Sequence, residues 1–195
     1  MWKIISFMNL IIFGPPGAGK GTQSSFIAKK FNLFQLSTGD ILRDQIKKKT
    51  DLGIKISPII STGSFVSDEI VSELIEKYVK DERYKNQIIF DGYPRSLKQV
   101  KNLEGLLIKY KQKIDLVLKL SVGLETIKKR ISERRTVEKR TDDYEEIAIK
   151  RYKTYESSTE PVIEYYNKLN LVKVINGERS IDQINKEISD IIALI

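Results

Sequence analysis

Short apolar runs alternate along the chain with longer segments whose apolar residues recur at helical spacing. Apolar runs without alternation are typical of strands that are buried on both faces, as in a parallel sheet. Segments with helical spacing follow the runs, so the pattern predicts an α/β domain with helices on both faces of the sheet. Strands are predicted at 9–13, 34–37, 88–91, 116–120 and 172–175.

Eight helices are predicted between and after these strands. The third contains Pro58 and is expected to be bent or interrupted there, and the seventh is expected to bend near Pro161. Two segments look like excursions from the sheet, at 37–67 and 131–142, so we expect one domain over residues 1–195 that carries both. The predicted helices are 23–31, 38–49, 52–60, 67–80, 96–110, 124–135, 144–169 and 180–195.

Composition removes several classes of chemistry. The chain has 195 residues, no cysteine and no histidine. These absences exclude a Ser-His-Asp triad, a cysteine nucleophile and a zinc site built on cysteine or histidine. Catalysis would have to use lysine, arginine, carboxylates, backbone N–H groups or a metal held mainly by oxygen. The net charge of +8 favours anionic partners, although the lysines are scattered along the chain.

The sequence also bears on location in the cell. No apolar run is long enough to predict a transmembrane helix. The apolar stretch near the N-terminus is followed by no small-residue cleavage site, so we expect a cytoplasmic protein whose functional start is Met1 or Met8.

A glycine-rich loop follows the first predicted strand directly and precedes a helix. Residues 14–20 read G-P-P-G-A-G-K, which fits the phosphate-loop pattern G-x-x-x-x-G-K in its required context. Backbone N–H groups and the helix dipole would bind phosphate, with Lys20 on the β- and γ-phosphates. The residues of this loop that would contact the nucleotide are Gly14, Pro15, Pro16, Gly17, Ala18, Gly19, Lys20, Gly21 and Thr22.

The loop departs from the general pattern at the residue after the lysine. Gly21 stands where a Ser or Thr hydroxyl usually binds magnesium, and Thr22 comes one position later. We therefore expect Mg²⁺ to be held mainly by nucleotide oxygens and water, with Asp91 contacting those waters.

Several ordered motifs resemble those of nucleoside monophosphate kinases, and within them those of adenylate kinases. They are G-P-P-G-A-G-K-G-T-Q at 14–23, L-S-T-G-D-I-L-R at 36–43, G-S-F-V-S-D at 63–68 and D-G-Y-P-R-S-L-K-Q at 91–99. The resemblance implies a P-loop three-layer fold with a five-stranded parallel sheet, a helical excursion that binds the monophosphate, and a short lid. It also implies reversible, Mg-dependent phosphoryl transfer from ATP to AMP, which gives two ADP.

The same resemblance assigns roles to matching residues. Arg130, Arg134 and the backbone near Glu178 and Arg179 would contact ATP. The charge of the moving phosphoryl group would be stabilised by Lys20, Arg95, Arg134, Arg140 and Arg151. The expected AMP contacts are Thr38, Gly39, Arg43, Ser64, Phe65, Val66, Gly92, Tyr93, Pro94, Arg95, Gln99, Arg140 and Arg151.

Two residues indicate which base the acceptor nucleotide carries. A glutamine amide can pair with the amino group and a ring nitrogen of adenine. The related UMP/CMP kinases place asparagine where this chain has Gln99, and they usually lack the threonine found at Thr38. These two residues therefore favour AMP as acceptor, with UMP/CMP kinase as the alternative.

The lid segment carries the remaining expectations. Four residues separate Arg135 from Arg140, which leaves no room for the inserted domain of long-lid relatives or for its zinc. Glu133 stands where a small residue is common in the family. Asp142 and Asp143 are interpreted either as N-capping acids of the next helix or as part of the lid's arginine network.

A third alternative is a non-catalytic P-loop protein that binds nucleotide or RNA. The chain contains neither the guanine-reading N-K-x-D sequence nor an aromatic-rich basic stripe, so we expect nucleotides as partners and neither nucleic acid nor a membrane. We also expect a monomer.

Overall fold

Five parallel strands form one sheet in a computed structural model that describes residues 7–138 and 143–195. They lie in the spatial order β2-β3-β1-β4-β5, with Ile11 of the central strand opposite both Phe90 and Val117. The five predicted strands are confirmed, although the last two each end one residue later than expected. The strands are β1 (Leu10–Phe13), β2 (Phe34–Ser37), β3 (Ile88–Asp91), β4 (Leu116–Ser121) and β5 (Val172–Asn176).

Helices cover both faces of this sheet, which gives three layers. The helices are α1 (Lys20–Phe31), α2 (Thr38–Lys47), α3 (Asp51–Ser61), α4 (Asp68–Val79), α5 (Leu97–Lys109), α6 (Leu124–Glu138), α7 (Glu145–Thr154), α8 (Glu160–Lys168) and α9 (Ile181–Ile192). One apolar cluster packs α2, α3, α4, α5 and α8 against one face, and a second packs α1, α6 and α9 against the other. A 3-10 turn at Glu82–Tyr84 was not predicted.

Both proline expectations need correction. The predicted interruption at Pro58 is wrong, because α3 continues through that residue. Pro58 and Ile54 are both exposed, so water can bond the Ile54 carbonyl that the proline leaves without an N–H donor. The single helix predicted over 144–169 is two helices, α7 and α8, joined by a π-helical turn at Tyr155–Thr159. Pro161 lies in the first turn of α8, where a missing N–H costs little.

The first excursion begins as two closely packed helices. A Cβ atom on Gly53 of α3 would lie 2.0 Å from the Gln45 carbonyl oxygen of α2, so the backbones meet at a distance that only glycine permits. Thr50 caps α3 by accepting from the Gly53 N–H. Ser67 occupies the predicted N-cap position of α4 without a side-chain capping bond. Of the second excursion, residues 131–138 end α6, while Arg140 and Asp142 lie outside the described residues.

A buried amide joins the strands at the end of the sheet opposite the phosphate loop. The Asn9 side chain is fully buried and donates to Gln112 Oε1 at 3.1 Å and to the Lys113 carbonyl at 3.0 Å. Its Oδ1 accepts from the Ile88 N–H at 3.0 Å. The network ties β1, β3 and the approach to β4 together, and the carboxyl ends of the strands remain for ligands.

Over the residues that the structure describes, we find no helix with the length and apolarity that a membrane crossing requires.

Candidate active site

A cleft of about 580 Å³ opens at the carboxyl ends of β1 and β3. The chain leaves β1 for strands on one side and later returns to strands on the other, and α/β sheets bind ligands at such a crossing point. The cleft is wide enough for a nucleotide. Its charged lining includes Lys20, Asp91, Arg95, Arg130, Arg134 and Arg151.

The phosphate loop borders this cleft and leads into a helix whose N-terminus has no side-chain cap. Gly19 has φ of +93°, and nothing lies within 4 Å of the position of a Cβ there, so the loop turns closely and stays open. The helix that follows has no side-chain cap and no acidic residue in its first turn. Unpaired N–H groups at a helix N-terminus bind anions.

Lys20 lies at the centre of the cleft with its amino group bonded to its own loop. Its Nζ donates to the carbonyls of Gly14 at 2.7 Å and Pro15 at 3.0 Å. Burial lowers the pKa of Lys20 to about 7, an effect that Asp91 opposes and nearby arginines add to. A phosphate would supply the negative charge that this amine needs to stay protonated.

Asp91 ends β3 and faces the same cleft. The carboxyl is buried and accepts from Gln35 Nε2 at 3.3 Å. Burial raises its pKa, while Lys20 and the Gln35 bond act in the opposite direction. A buried carboxyl whose charge is only partly balanced suits a hydrated cation, since hard oxygen donors are what Mg²⁺ prefers.

Within the described ranges, 7–138 and 143–195, no group of three acidic side chains could hold a metal. Asp91 and Thr22 both border the cleft, so the donor set fits an ion whose other ligands come from nucleotide and water.

A second pocket adjoins the cleft and is less polar at its inner end. Thr38 lies buried at the start of α2, where its hydroxyl donates to the Gly92 carbonyl at 3.1 Å. Arg43 forms an ion pair with Asp40 one turn earlier. The predicted AMP contacts that line this pocket are Thr38, Gly39, Arg43, Ser64, Phe65, Val66, Gly92, Arg95, Gln99 and Arg151.

Arg95 and Arg151 lie where the cavities meet. Together with Gly92, they line the large cleft, the second pocket and a smaller cavity behind the phosphate loop. The Arg95 Nε donates to the Gly92 carbonyl at 2.6 Å, and its guanidinium lies 4.9 Å from the centre of the Phe65 ring. Both contacts hold the guanidinium beside residues that line these cavities.

Asp143 belongs to the arginine cluster and does not cap α7, whose N-cap is Tyr144. The carboxyl is completely buried and binds Arg134 through both oxygens, with Arg134 Nε to Oδ2 at 2.7 Å. Arg151 lies 4.0 Å from the same carboxyl. Of the two interpretations left open by the sequence, the capping one is wrong for Asp143.

Some predicted contacts lie away from the cleft surface. Tyr93 is buried, and its hydroxyl donates to the Gln99 carbonyl. Pro94 borders the smaller cavity, as does Gly14. Arg179 pairs with Glu187 at 3.0 Å on the outer side of α9. Arg140 lies outside the described residues.

Arg130 and Glu178 both bind backbone. Arg130 donates to the Gly177 carbonyl at 2.9 Å, while Glu178 accepts from the Gly123 N–H at 2.8 Å. They join α6 to the loop after β5, which places that loop beside the phosphate loop.

Three further residues of the site were not predicted. Gln35 bonds Asp91, and Tyr155 and Thr159 of the π-helical turn line the cavity behind the phosphate loop. The structure marks the last two, because a π-helical turn inside a helix is common at functional sites, but their local sequence does not predict that turn.

Comparison with known proteins identifies similar chains. A sequence model described as adenylate kinase matches residues 12–171. An adenylate kinase of Pelagibacter ubique (strain HTCC1062) is 46% identical, over 95% of this chain and 99% of the relative. The adenylate kinases of Petrotoga mobilis and Chloroherpeton thalassium are 38% and 37% identical, over 95% of this chain and 97% and 98% of the relatives.

The alignments also show a difference in length. The alignment with the Pelagibacter ubique relative spans 211 positions, whereas this chain contributes 95% of its 195 residues, or about 185, to it. That relative therefore contains about 26 residues with no counterpart in this chain.

Proposed function

The chain belongs to the adenylate kinase family, whose reaction is reversible phosphoryl transfer from ATP to AMP, and on this premise we propose which of its residues perform that reaction. Lys20, Arg95, Arg134 and Arg151 stabilise the charge on the phosphoryl group while it moves. Phosphoryl transfer depends mainly on positioning and on neutralising charge, so it needs no histidine or cysteine.

The observation that carries this proposal is the position of Arg95 and Arg151. Both border the large cleft, where ATP would bind, and the second pocket, which would hold the acceptor AMP and is called the acceptor pocket below. One guanidinium can therefore contact phosphates of both substrates. Arginine suits this role because its planar group binds two phosphate oxygens at once.

ATP would bind with its phosphates on the loop at 14–22. The start of α1 would donate backbone N–H groups, and Lys20 would exchange its carbonyl partners for phosphate oxygens. The ribose and adenine would extend toward Arg130 and the loop at 177–179, which are joined to each other.

AMP would bind in the pocket between α2 and α5. Arg43 and Arg95 would hold its phosphate, and Gln99 would read the base beside Thr38 and Val66. Gln99 and Thr38 favour AMP over the acceptors of a UMP/CMP kinase, because the related UMP/CMP kinases place asparagine at the first position and usually lack the threonine.

Magnesium would be held by phosphate oxygens and by waters on Asp91 and Thr22. When bound, the ion neutralises phosphate charge and orients the transferred group. The chain itself supplies the buried carboxylate and the nearby hydroxyl.

The lid in this proposal is short. The residues that the relatives have in excess would belong to the segment at 131–142, where few residues separate Arg135 from Arg140. Closure of this segment and of the excursion at 37–67 would exclude water, which otherwise accepts the phosphoryl group. Arg140 would contribute its charge to the transferring phosphates, as the family resemblance implies.

Three variants test the assignment of the transfer residues. ADP formation from MgATP and AMP is measured for Lys20→Met and Arg95→Ala, with Arg83→Ala as the matched control because Arg83 is exposed and pairs with Asp81 outside the cavities. We expect losses of about 100-fold or more in kcat for the first two and no change for the control. Near-normal kcat in Arg95→Ala would refute the assignment.

A further inference from the structure

The side-chain amide of Gln99 is fixed in one orientation. Gln99 is 4% exposed, and its Nε2 donates to Asp68 Oδ1 at 2.6 Å. Its Oε1 accepts from the Arg95 backbone N–H at 2.7 Å. Turning the amide by 180° would place its NH₂ against that N–H and its oxygen against the carboxylate, so both contacts would become repulsive.

The fixed amide still has hydrogen-bonding capacity for a ligand. An amide nitrogen donates twice and an amide oxygen accepts twice. Gln99 therefore keeps one donor and one acceptor after its bonds with Asp68 and Arg95, and it lines the acceptor pocket beside Val66 and Val71. The order of donor and acceptor is set by the two existing bonds.

This order matters because purine bases differ at position 6. A 6-aminopurine presents an amino donor beside a ring-nitrogen acceptor, whereas a 6-oxopurine presents an oxygen acceptor in place of the amino donor. A glutamine amide that turns freely can serve either base. An amide that cannot turn serves only one of them.

We propose that Asp68 is a specificity-determining positioning residue, which fixes the Gln99 amide so that the pocket accepts 6-aminopurine monophosphates and rejects 6-oxopurine ones. This inference rests on the proposed assignment of Gln99 to the base of the acceptor. Asp68 acts through Gln99 and from the first turn of a different helix, α4.

The neighbouring Glu69 separates this role from a purely structural one. Both acids lie in the first turn of α4, where negative charge stabilises the helix, and both lie near Lys98, at 3.9 Å for Asp68 and 3.0 Å for Glu69. The hydrogen bond to Gln99 is made by Asp68. Glu69→Leu is therefore the matched control for Asp68→Leu.

The experiment measures kcat/KM for AMP and for IMP as acceptors, with saturating MgATP. In Asp68→Leu we expect the AMP-to-IMP ratio to fall about 10-fold or more, because the turned amide then meets one repulsive contact, at the Arg95 N–H, in place of two. Asp68→Asn should lower the ratio less than Asp68→Leu does, since its Oδ1 can still accept from Gln99 although its NH₂ can also face a turned amide. Glu69→Leu should leave the ratio unchanged, and circular dichroism and the KM for ATP establish that each variant is folded.

Gln99→Leu distinguishes failure of this inference from failure of the proposed function. If that variant loses AMP efficiency while Asp68→Leu keeps the original ratio, the role of Asp68 is refuted and the base assignment stands. If Gln99→Leu uses AMP normally, the base assignment and the inference both fail. Asp68→Ala provides the same test, with the same expected fall in ratio, if the leucine variant does not fold.

Discussion

The protonation of Lys20 should couple ATP binding to pH. In the free protein, burial lowers the pKa of Lys20 to about 7, so the amine is mostly neutral at pH 8. Phosphate oxygens within bonding distance favour the charged form and would raise that pKa. Binding at pH 8 should therefore take up about 0.9 of a proton at this group, and binding at pH 6 only about 0.1.

The same linkage sets the expected change in affinity. Above pH 7 the free amine must first gain a proton, so binding weakens as pH rises, by about tenfold between pH 6 and pH 8. Titration calorimetry of MgATP in buffers with different ionisation enthalpies gives the proton uptake, and the fitted Kd gives the change in affinity.

Lys20→Arg is the matched control, because arginine remains charged throughout this range. Any proton uptake by the nucleotide itself occurs in both proteins and cancels in the difference. Equal proton uptake in the two proteins at pH 8 would refute the coupling between ATP binding and protonation of Lys20.

Three further predictions concern stability and the arginine cluster. Gly53→Ala should lower stability by about 1–3 kcal/mol in urea unfolding, because its Cβ would overlap the Gln45 carbonyl, whereas Gly105→Ala in α5 has open space and should raise it; equal effects would contradict the close approach. Asn9→Leu should lower the free energy of unfolding by about 3 kcal/mol, since the Ile88 N–H and the Gln112 amide lose a buried partner. An unchanged urea midpoint would contradict a stabilising role for the Asn9 network. Asp143→Asn should reduce kcat for ADP formation about tenfold and lower Tm, because it weakens the two-oxygen grip on Arg134; a normal kcat would show that Arg134 needs no such support.

Features set by local sequence were predictable. The strands follow from apolar runs buried on both faces, and the phosphate loop follows from glycine and lysine spacing between a strand and a helix. A bend near Pro161 was expected, whereas the structure has a π-helical turn at Tyr155–Thr159, and local sequence does not specify where a helix gains a residue per turn.

The polar partners inside the site depend on tertiary packing. Gln99 meets Asp68 across 31 residues of sequence, and Gln35 meets Asp91 across 56. The spacing of these residues in the sequence does not predict the pairs. Helix α4 meets α5, and strand β2 meets β3, only in the folded structure. The sequence predicted Gln99 and Asp91 as site residues, and the structure shows which side chains bond them.

The choice of acceptor nucleotide tests both the proposed reaction and the assignment of the base pocket. ADP formation from MgATP is measured with AMP, CMP, UMP and GMP as separate acceptors, under identical conditions. We expect strong turnover with AMP and little with the other three, because Gln99 and Thr38 of the proposed acceptor pocket favour adenine. Turnover mainly with CMP or UMP would contradict the assignment of the base pocket, and turnover with none of them would contradict the proposed reaction.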